Sequence, residues 1–328
     1  MAIPAKAKFL ATVSSLDELN QALNYAKNQQ LSVLVLGEGS NTIFENDYDG
    51  LVLLYRIKGI EIISQDADSV TIKVAAGENW HDFVHHSITQ GWFGLENLAL
   101  IPGLVGAAPM QNVGAYGVEV KDTIIGVDFI DMQTRQDTHL SNADCDFSYR
   151  ESIFKRELMG KVIITSVTFC LSKKANVNIS YPALAGMFED QPSPKQVFDA
   201  VCKLRNAKLP LPKDLPNTGS FFKNPVIDQN RHDKLKQQYP DLVSYPFEQG
   251  FKLAAGWMIE KAGWKQKNIN DVHVHKHQAL VIINSKRKSG KDVVTFAQAI
   301  QQDISDKFGV LLEIEPVSYT HLTLPTKA

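Results

Sequence analysis

Apolar and polar positions along this chain alternate between the two periods that helices and strands require, and the two rhythms are interleaved from end to end. Residues 15–29 predict a helix, capped at Ser15 with Glu18 three residues on. Apolar runs predict strands over 33–36, 51–54, 60–63 and 70–76. Residues 80–89 read as a helix that stops at Gly91. A hairpin comes next over 126–131 and 138–140, then a long strand over 162–171. Ser193-Pro194 opens a helix that runs to Lys208, with proline in its first turn. Leu209-Pro210-Leu211-Pro212-Lys213 ends it and reads as an extended linker between domains. Beyond it the pattern gives a helix near 253–261, a strand over 277–283, a helix over 291–307 and a last strand over 310–315. The class is α+β, with no internal repeat.

Three stretches obey neither period. Val-rich residues 31–36 run into Gly37-Glu38-Gly39-Ser40-Asn41, a tight turn whose backbone N–H groups can point one way and cradle phosphate. No Gly-Lys-Ser/Thr comes after it, and the glycine spacing is not that of a dinucleotide-binding Rossmann turn. Second comes Gly94-Leu95-Glu96-Asn97-Leu98-Ala99-Leu100-Ile101-Pro102-Gly103-Leu104-Val105-Gly106-Ala107-Ala108-Pro109, continuing into Gln111-Asn112-Val113-Gly114-Ala115-Tyr116-Gly117. This tract has five glycines and almost no charge, so its backbone can lie flat on a large planar ligand. Third is Asn217-Thr218-Gly219-Ser220-Phe221-Phe222-Lys223-Asn224-Pro225, which puts a hydroxyl, an aromatic wall, a cation and an amide in one short segment. On composition alone it is a loop in which Ser220 bonds its own backbone.

Composition narrows the function classes. A formal net charge of −2 over 328 residues argues against a nucleic-acid partner. No stretch is apolar and long enough to span a bilayer, and the first residues lack an apolar signal core, so a cytoplasmic protein is expected. Cys145, Cys170 and Cys202 are an odd count with no metal spacing, as expected of reduced thiols. Val272-His273-Val274-His275-Lys276-His277 sets alternate histidines on a strand, but lacks a fourth ligand and carries an adjacent lysine, so no metal site is assigned.

Together with Tyr149-Arg150-Glu151-Ser152-Ile153-Phe154-Lys155, the three stretches resemble, in order, the UDP-N-acetylenolpyruvoylglucosamine reductase family. The resemblance covers about residues 3–317 and fits the longer subfamily, which carries a tyrosine loop. It implies a two-subdomain FAD-binding fold of the vanillyl-alcohol-oxidase (PCMH) type plus a C-terminal α+β substrate domain. The implied boundaries are 1–57 for the first subdomain with a return strand at 310–317, 58–209 for the second, and 210–309 for the substrate domain. Residues 318–328 depart from the family pattern and are expected to form a disordered tail.

The implied activity is NADPH-dependent reduction of the enolpyruvyl ether of UDP-N-acetylenolpyruvoylglucosamine, with non-covalent FAD, by a monomer. Hydride addition leaves negative charge on the carbon beside the substrate carboxylate, and that carbon must be protonated. By resemblance Ser220 is the proton donor, Arg150 binds the carboxylate, and Glu315 stabilises the enolic form as a protonated acid. The residues implied to hold FAD are Gly37, Glu38, Gly39, Ser40 and Asn41 at the diphosphate. Ile101, Pro102, Gly103, Gly106 and Ala107, with Asn112, Gly114, Ala115, Tyr116 and Gly117, face the ring. Tyr181 would close over the nucleotide, while Lys208, Asn224 and Gln278 hold its diphosphate and uridine end and Tyr149 and Lys223 complete the substrate site. Two other readings stay open: a sugar or hydroxy-acid oxidase on the same flavin scaffold, and a non-catalytic nucleotide-binding module. The oxidase reading is weakened because neither glycine-bearing stretch at 37–41 or 101–116 holds a His or Cys to tether flavin.

Overall fold

Helix Leu16–Asn28 forms where the sequence caps it: Ser15 accepts the N–H of Glu18 at 3.2 Å, and the Glu18 carboxylate accepts the N–H of Ser14 at 2.6 Å. Its buried residues, Leu19, Leu23 and Ala26, recur four and three apart and make one apolar stripe. The computed structural model describes residues 1–320. They divide into two compact units, one of residues 7–39 and 49–205, the other of residues 1–6, 40–48 and 206 onward.

The larger unit holds two sheets. In one, Tyr48–Tyr55 lies between Ala7–Val13 and Ser32–Leu36, and is parallel to the latter. The other is antiparallel, in the order Asp137–Ser141, Ile124–Asp131, Val162–Ser172, Ser69–Ala75, Ile60–Gln65. Helix Trp80–Thr89 packs Trp80 and Phe83 against Phe169 of the long strand. The glycine-bearing tract contains nothing longer than three-residue 3₁₀ turns and two-residue strands, as its lack of period requires.

On that sheet Lys73, Ser166 and His139 converge on Asp128 at 2.9, 2.7 and 2.7 Å. Burial raises the Asp128 carboxyl, but hydrogen bonds from Lys73, Ser166 and His139 outweigh it and hold it below its ordinary value. A carboxyl lowered in the fold stabilises above its unfolded pKa, and that stability is lost as pH falls through the folded value. Asp128→Asn should therefore lower the melting temperature at pH 7, by about 1 kcal/mol of stability. The gap should begin to narrow below about pH 4 and close only once the pH has fallen below the carboxyl's lowered folded value. A gap that does not narrow at all as the pH falls through that range would show that shape, not charge, holds the cluster.

The smaller unit is built around helix Gly290–Phe308, whose Val293, Phe296, Ala297, Ile300 and Ile304 are buried with Phe221 and Phe222. Strand Val317–Tyr319 pairs in parallel with Thr42–Phe44. That pairing bears on the expected boundaries. Residues 40–48 group with the C-terminal part of the chain. Most of 1–57 shares one compact unit with 58–205. Ser318 and Tyr319 are strand rather than tail, with Tyr319 stacked on Phe44 at 5.6 Å; residues 321–328 lie outside the described residues.

Residues 310–315 are extended, with Val310 and Leu312 buried and Leu311 72% exposed, but they do not form the expected strand. Their partner is the irregular segment at 220–223, which supplies isolated pairings instead of a ladder. The strand expected at 277–283 shortens to Ile282–Ile283 because a turn closes from Val281 N–H to Gln278 O at 3.0 Å. Helix Gln229–Gln238 was not expected: it buries only His232 and Leu235, so no apolar stripe announces it.

Candidate active site

In the smaller unit, backbone pairing sets the Ser220 segment between Val281 and Glu315. Ser220 bridges Val281, the Phe221 N–H donates to Leu280 O at 2.7 Å, and Phe221 O accepts the N–H of Glu315 at 2.9 Å. Asn41 joins them: its side-chain amide donates to Glu315 O at 3.4 Å, and its carbonyl accepts the N–H of Val317 at 3.0 Å. Gln278 lies in the turn that leads into Val281, where its side-chain oxygen accepts the N–H of Leu280 at 3.3 Å. Upstream, buried Asn217 accepts the N–H of Gly219 and donates to the carbonyls of Pro210 and Leu215, which fixes the approach to Ser220. Ser220 itself is exposed.

Two expected substrate anchors are engaged by the protein. Lys223 is buried, with its ammonium 2.5 Å from Glu313. The Asn224 side-chain oxygen accepts the N–H of Ala255, capping helix Ala255–Lys261. Lys208 ends helix Pro194–Lys208 and is exposed.

The larger unit holds Arg150. It is the second central residue of a two-residue hairpin in which Ser148 and Glu151 exchange backbone hydrogen bonds, and its φ is +58°. A left-handed arginine costs on the order of 1–2 kcal/mol, so the surroundings must hold it there. They do: its guanidinium donates to Gly114 O at 2.6 Å, Lys155 binds its carbonyl at 3.2 Å, and its guanidinium carbon lies 5.3 Å from the centre of the Tyr149 ring. The missing side chain of Gly114 leaves room for this, because a Cβ there would lie 2.9 Å from an Arg150 nitrogen, which would have to shift.

The phosphate turn and the tract are also joined in this unit. Glu38 accepts the Gly103 N–H at 3.0 Å and the Asn79 amide at 2.9 Å, so its side chain holds the two segments together. Gly39 has φ +64°, which favours glycine. Asn112 is buried and fully used, donating to Glu119 and Ser148 O and accepting from the Lys121 N–H. Its side chain therefore supports the tract from within. The Tyr116 and Tyr181 rings meet edge to face, 5.2 Å apart. Burial raises the Tyr116 hydroxyl, and Arg205, which the sequence did not single out, opposes that shift.

A protein from Alcanivorax borkumensis named UDP-N-acetylenolpyruvoylglucosamine reductase is 44% identical over 97% of this chain and 92% of its own length. One of the same name from Pseudomonas fluorescens is 44% identical over 97% and 95%. The chain belongs to the UDP-N-acetylenolpyruvoylglucosamine reductase family. The profile of that family's C-terminal domain matches residues 210–319, and that of an FAD-binding domain matches residues 7–136. The fold is shared with the crystal structure of the Thermus caldophilus reductase, at TM-score 0.63 and 21% identity over 94% of this chain and 91% of that one.

The residues present fit FAD. Glu38 brings two glycine-bearing backbones together, and neither the 101–109 stretch nor the hairpin tip at 114–117 carries a charged side chain. Backbone donors suit a diphosphate, and an uncharged wall suits a planar ring. Among the described residues no cluster of three His, Cys, Asp or Glu could hold a metal ion; the His275 and His277 rings stand 5.7 Å apart, edge to face. No helix among them is long and apolar enough to cross a membrane.

Proposed function

We propose that the chain is the NADPH-dependent reductase that turns UDP-N-acetylenolpyruvoylglucosamine into UDP-N-acetylmuramate for peptidoglycan synthesis, acting as a cytoplasmic monomer. The backbone pairing that sets the Ser220–Lys223 segment between Val281 and Glu315, with Glu315 bonded to Phe221, supports this reading most. FAD, when bound, supplies the hydride. The chain's own residues handle the charge and the proton. Arg150 offers a planar fork to the substrate carboxylate, where negative charge develops on the adjacent carbon. Ser220 gives its hydroxyl proton to that carbon; an alcohol is a weak acid, but an enolate carbon is basic enough to take it. Glu315, whose N–H bonds Phe221 O, stabilises the enolic form as a protonated acid. Tyr181, Lys208, Asn224 and Gln278 serve the nucleotide, Asn224 through its amide nitrogen because its oxygen caps a helix.

Heat denaturation of the purified protein should release a yellow chromophore. Before heating, anaerobic NADPH should bleach it, and the sugar nucleotide should restore it. Double-reciprocal plots should be parallel lines, as for a ping-pong sequence. Protein that stays colourless after incubation with FAD, or flavin that only a hydroxy acid or sugar reduces, would overturn the assignment.

A further inference from the structure

We propose that Asn178 is a positioning residue: it hangs the Tyr181 segment from the tip of the hairpin that carries Tyr116, and so sets the affinity for the substrate's nucleotide. The inference rests on the reading that Tyr181 faces that nucleotide. Tyr116 and Gly117 are the two central residues between Gly114–Ala115 and Val118–Glu119, and both have positive φ, +49° and +83°. Such a turn points its two central carbonyls outward, and each needs a donor. The donors come from two asparagines. Buried Asn97 donates one amide to Tyr116 O and to Asn178 O, at 2.8 Å each. Asn178 donates its side-chain amide to Gly117 O at 3.1 Å.

The Asn178 side chain also shapes the residues after it. Its oxygen accepts the Ser180 N–H at 2.9 Å and the Ser180 hydroxyl at 2.7 Å, a local turn that aims the next residue, Tyr181. The two strands of chain approach closely, since a Cβ on Gly117 would lie 3.1 Å from the Ser180 hydroxyl. Tyr181 then meets the Tyr116 ring edge to face at 5.2 Å, and its carbonyl accepts the N–H groups of Leu184 and Ala185, which start the short helix Pro182–Ala185. Tyr181 is exposed, while Ile179 and Leu184 on either side of it pack into the core, so the asparagine links act on the exposed stretch between two anchors. Each bond lost there lowers the fraction of time that stretch is docked.

Asn178→Asp separates the two jobs of this side chain. Aspartate keeps the acceptor for Ser180 and replaces the donor to Gly117 O with an oxygen that repels it. On the flavin-loaded enzyme, Asn178→Asp should raise the Kd for UDP, read by titration calorimetry, and the KM for the sugar nucleotide, each by about three- to tenfold. Flavin reduction by NADPH and kcat should stay within about twofold, and the melting temperature should hold. Tyr181→Ala should weaken UDP at least as much, and the double variant should be no weaker than Tyr181→Ala alone, because both remove one contact. If Tyr181→Ala weakens UDP and Asn178→Asp does not, the positioning role is wrong. If Tyr181→Ala leaves UDP binding unchanged, the underlying reading of Tyr181 is wrong. Equal losses in both half-reactions with a lowered melting temperature would make Asn178 structural only.

Discussion

Ser220→Ala is expected to leave FAD bound and NADPH bleaching near normal while slowing reoxidation by UDP-N-acetylenolpyruvoylglucosamine by about 10²–10⁴-fold, the range for loss of a positioned proton donor. The separation comes from the chemistry. Hydride transfer from NADPH needs no proton from the protein, whereas completing the substrate does. The structure keeps the substitution local. Ser220 is exposed, its backbone is fixed by pairing through Phe221 and Val281, and Asn217 holds the approach, none of which uses the hydroxyl. Ser220→Cys should retain more activity than Ser220→Ala, since a thiol also donates a proton. Stopped-flow absorbance of the flavin tracks each half separately. If Ser220→Ala slows both halves equally, or neither, the proton comes from elsewhere and Ser220 is structural.

What could be read from the sequence was what depends on short spacing. Helix Leu16–Asn28 is written in its cap and stripe, and the tract from Gly94 to Gly117 in its lack of period. Contacts between distant segments were not legible. Glu315 comes to the Ser220 segment only because residues 220–223 run between 280–281 and 313–315, an irregular pairing with no two-residue rhythm of its own. Side-chain amides were ambiguous for a different reason. An asparagine that binds a ligand and one that binds backbone are the same residue in the same kind of loop. Asn112 and Asn224 prove to be partly or wholly committed to the fold, while Asn97, Asn178 and Asn217 went unremarked although they organise the loops around the site. Glu38 carries a second role that its place in a glycine turn did not announce: its carboxylate bonds Gly103 and Asn79 and ties the turn to the tract.

Gly114 carries a role within the fold beside the one the resemblance implies at the flavin. In the fold its missing side chain makes room for Arg150, and its carbonyl accepts the guanidinium at 2.6 Å. Gly114→Ala should therefore act at a distance. Its φ is not in the left-handed region, so alanine is tolerated by the backbone, but the new Cβ must push against the Arg150 nitrogen 2.9 Å away, Glu119 and Val118 O. Arg150→Lys should fail in the same way from the other side: lysine lacks the fork that binds Gly114 O and a carboxylate together. A hydrogen bond to a charged group is worth about 1.5–3 kcal/mol, so each variant should lose about 10- to 100-fold in kcat/KM for the sugar nucleotide. NADPH bleaching of the flavin should be little changed in both. The pair should be non-additive, with the double variant no worse than the weaker single, because both displace one guanidinium. Additive losses would mean that Gly114 serves the flavin after all, and a matching rise in the FAD dissociation constant of Gly114→Ala alone would say so directly.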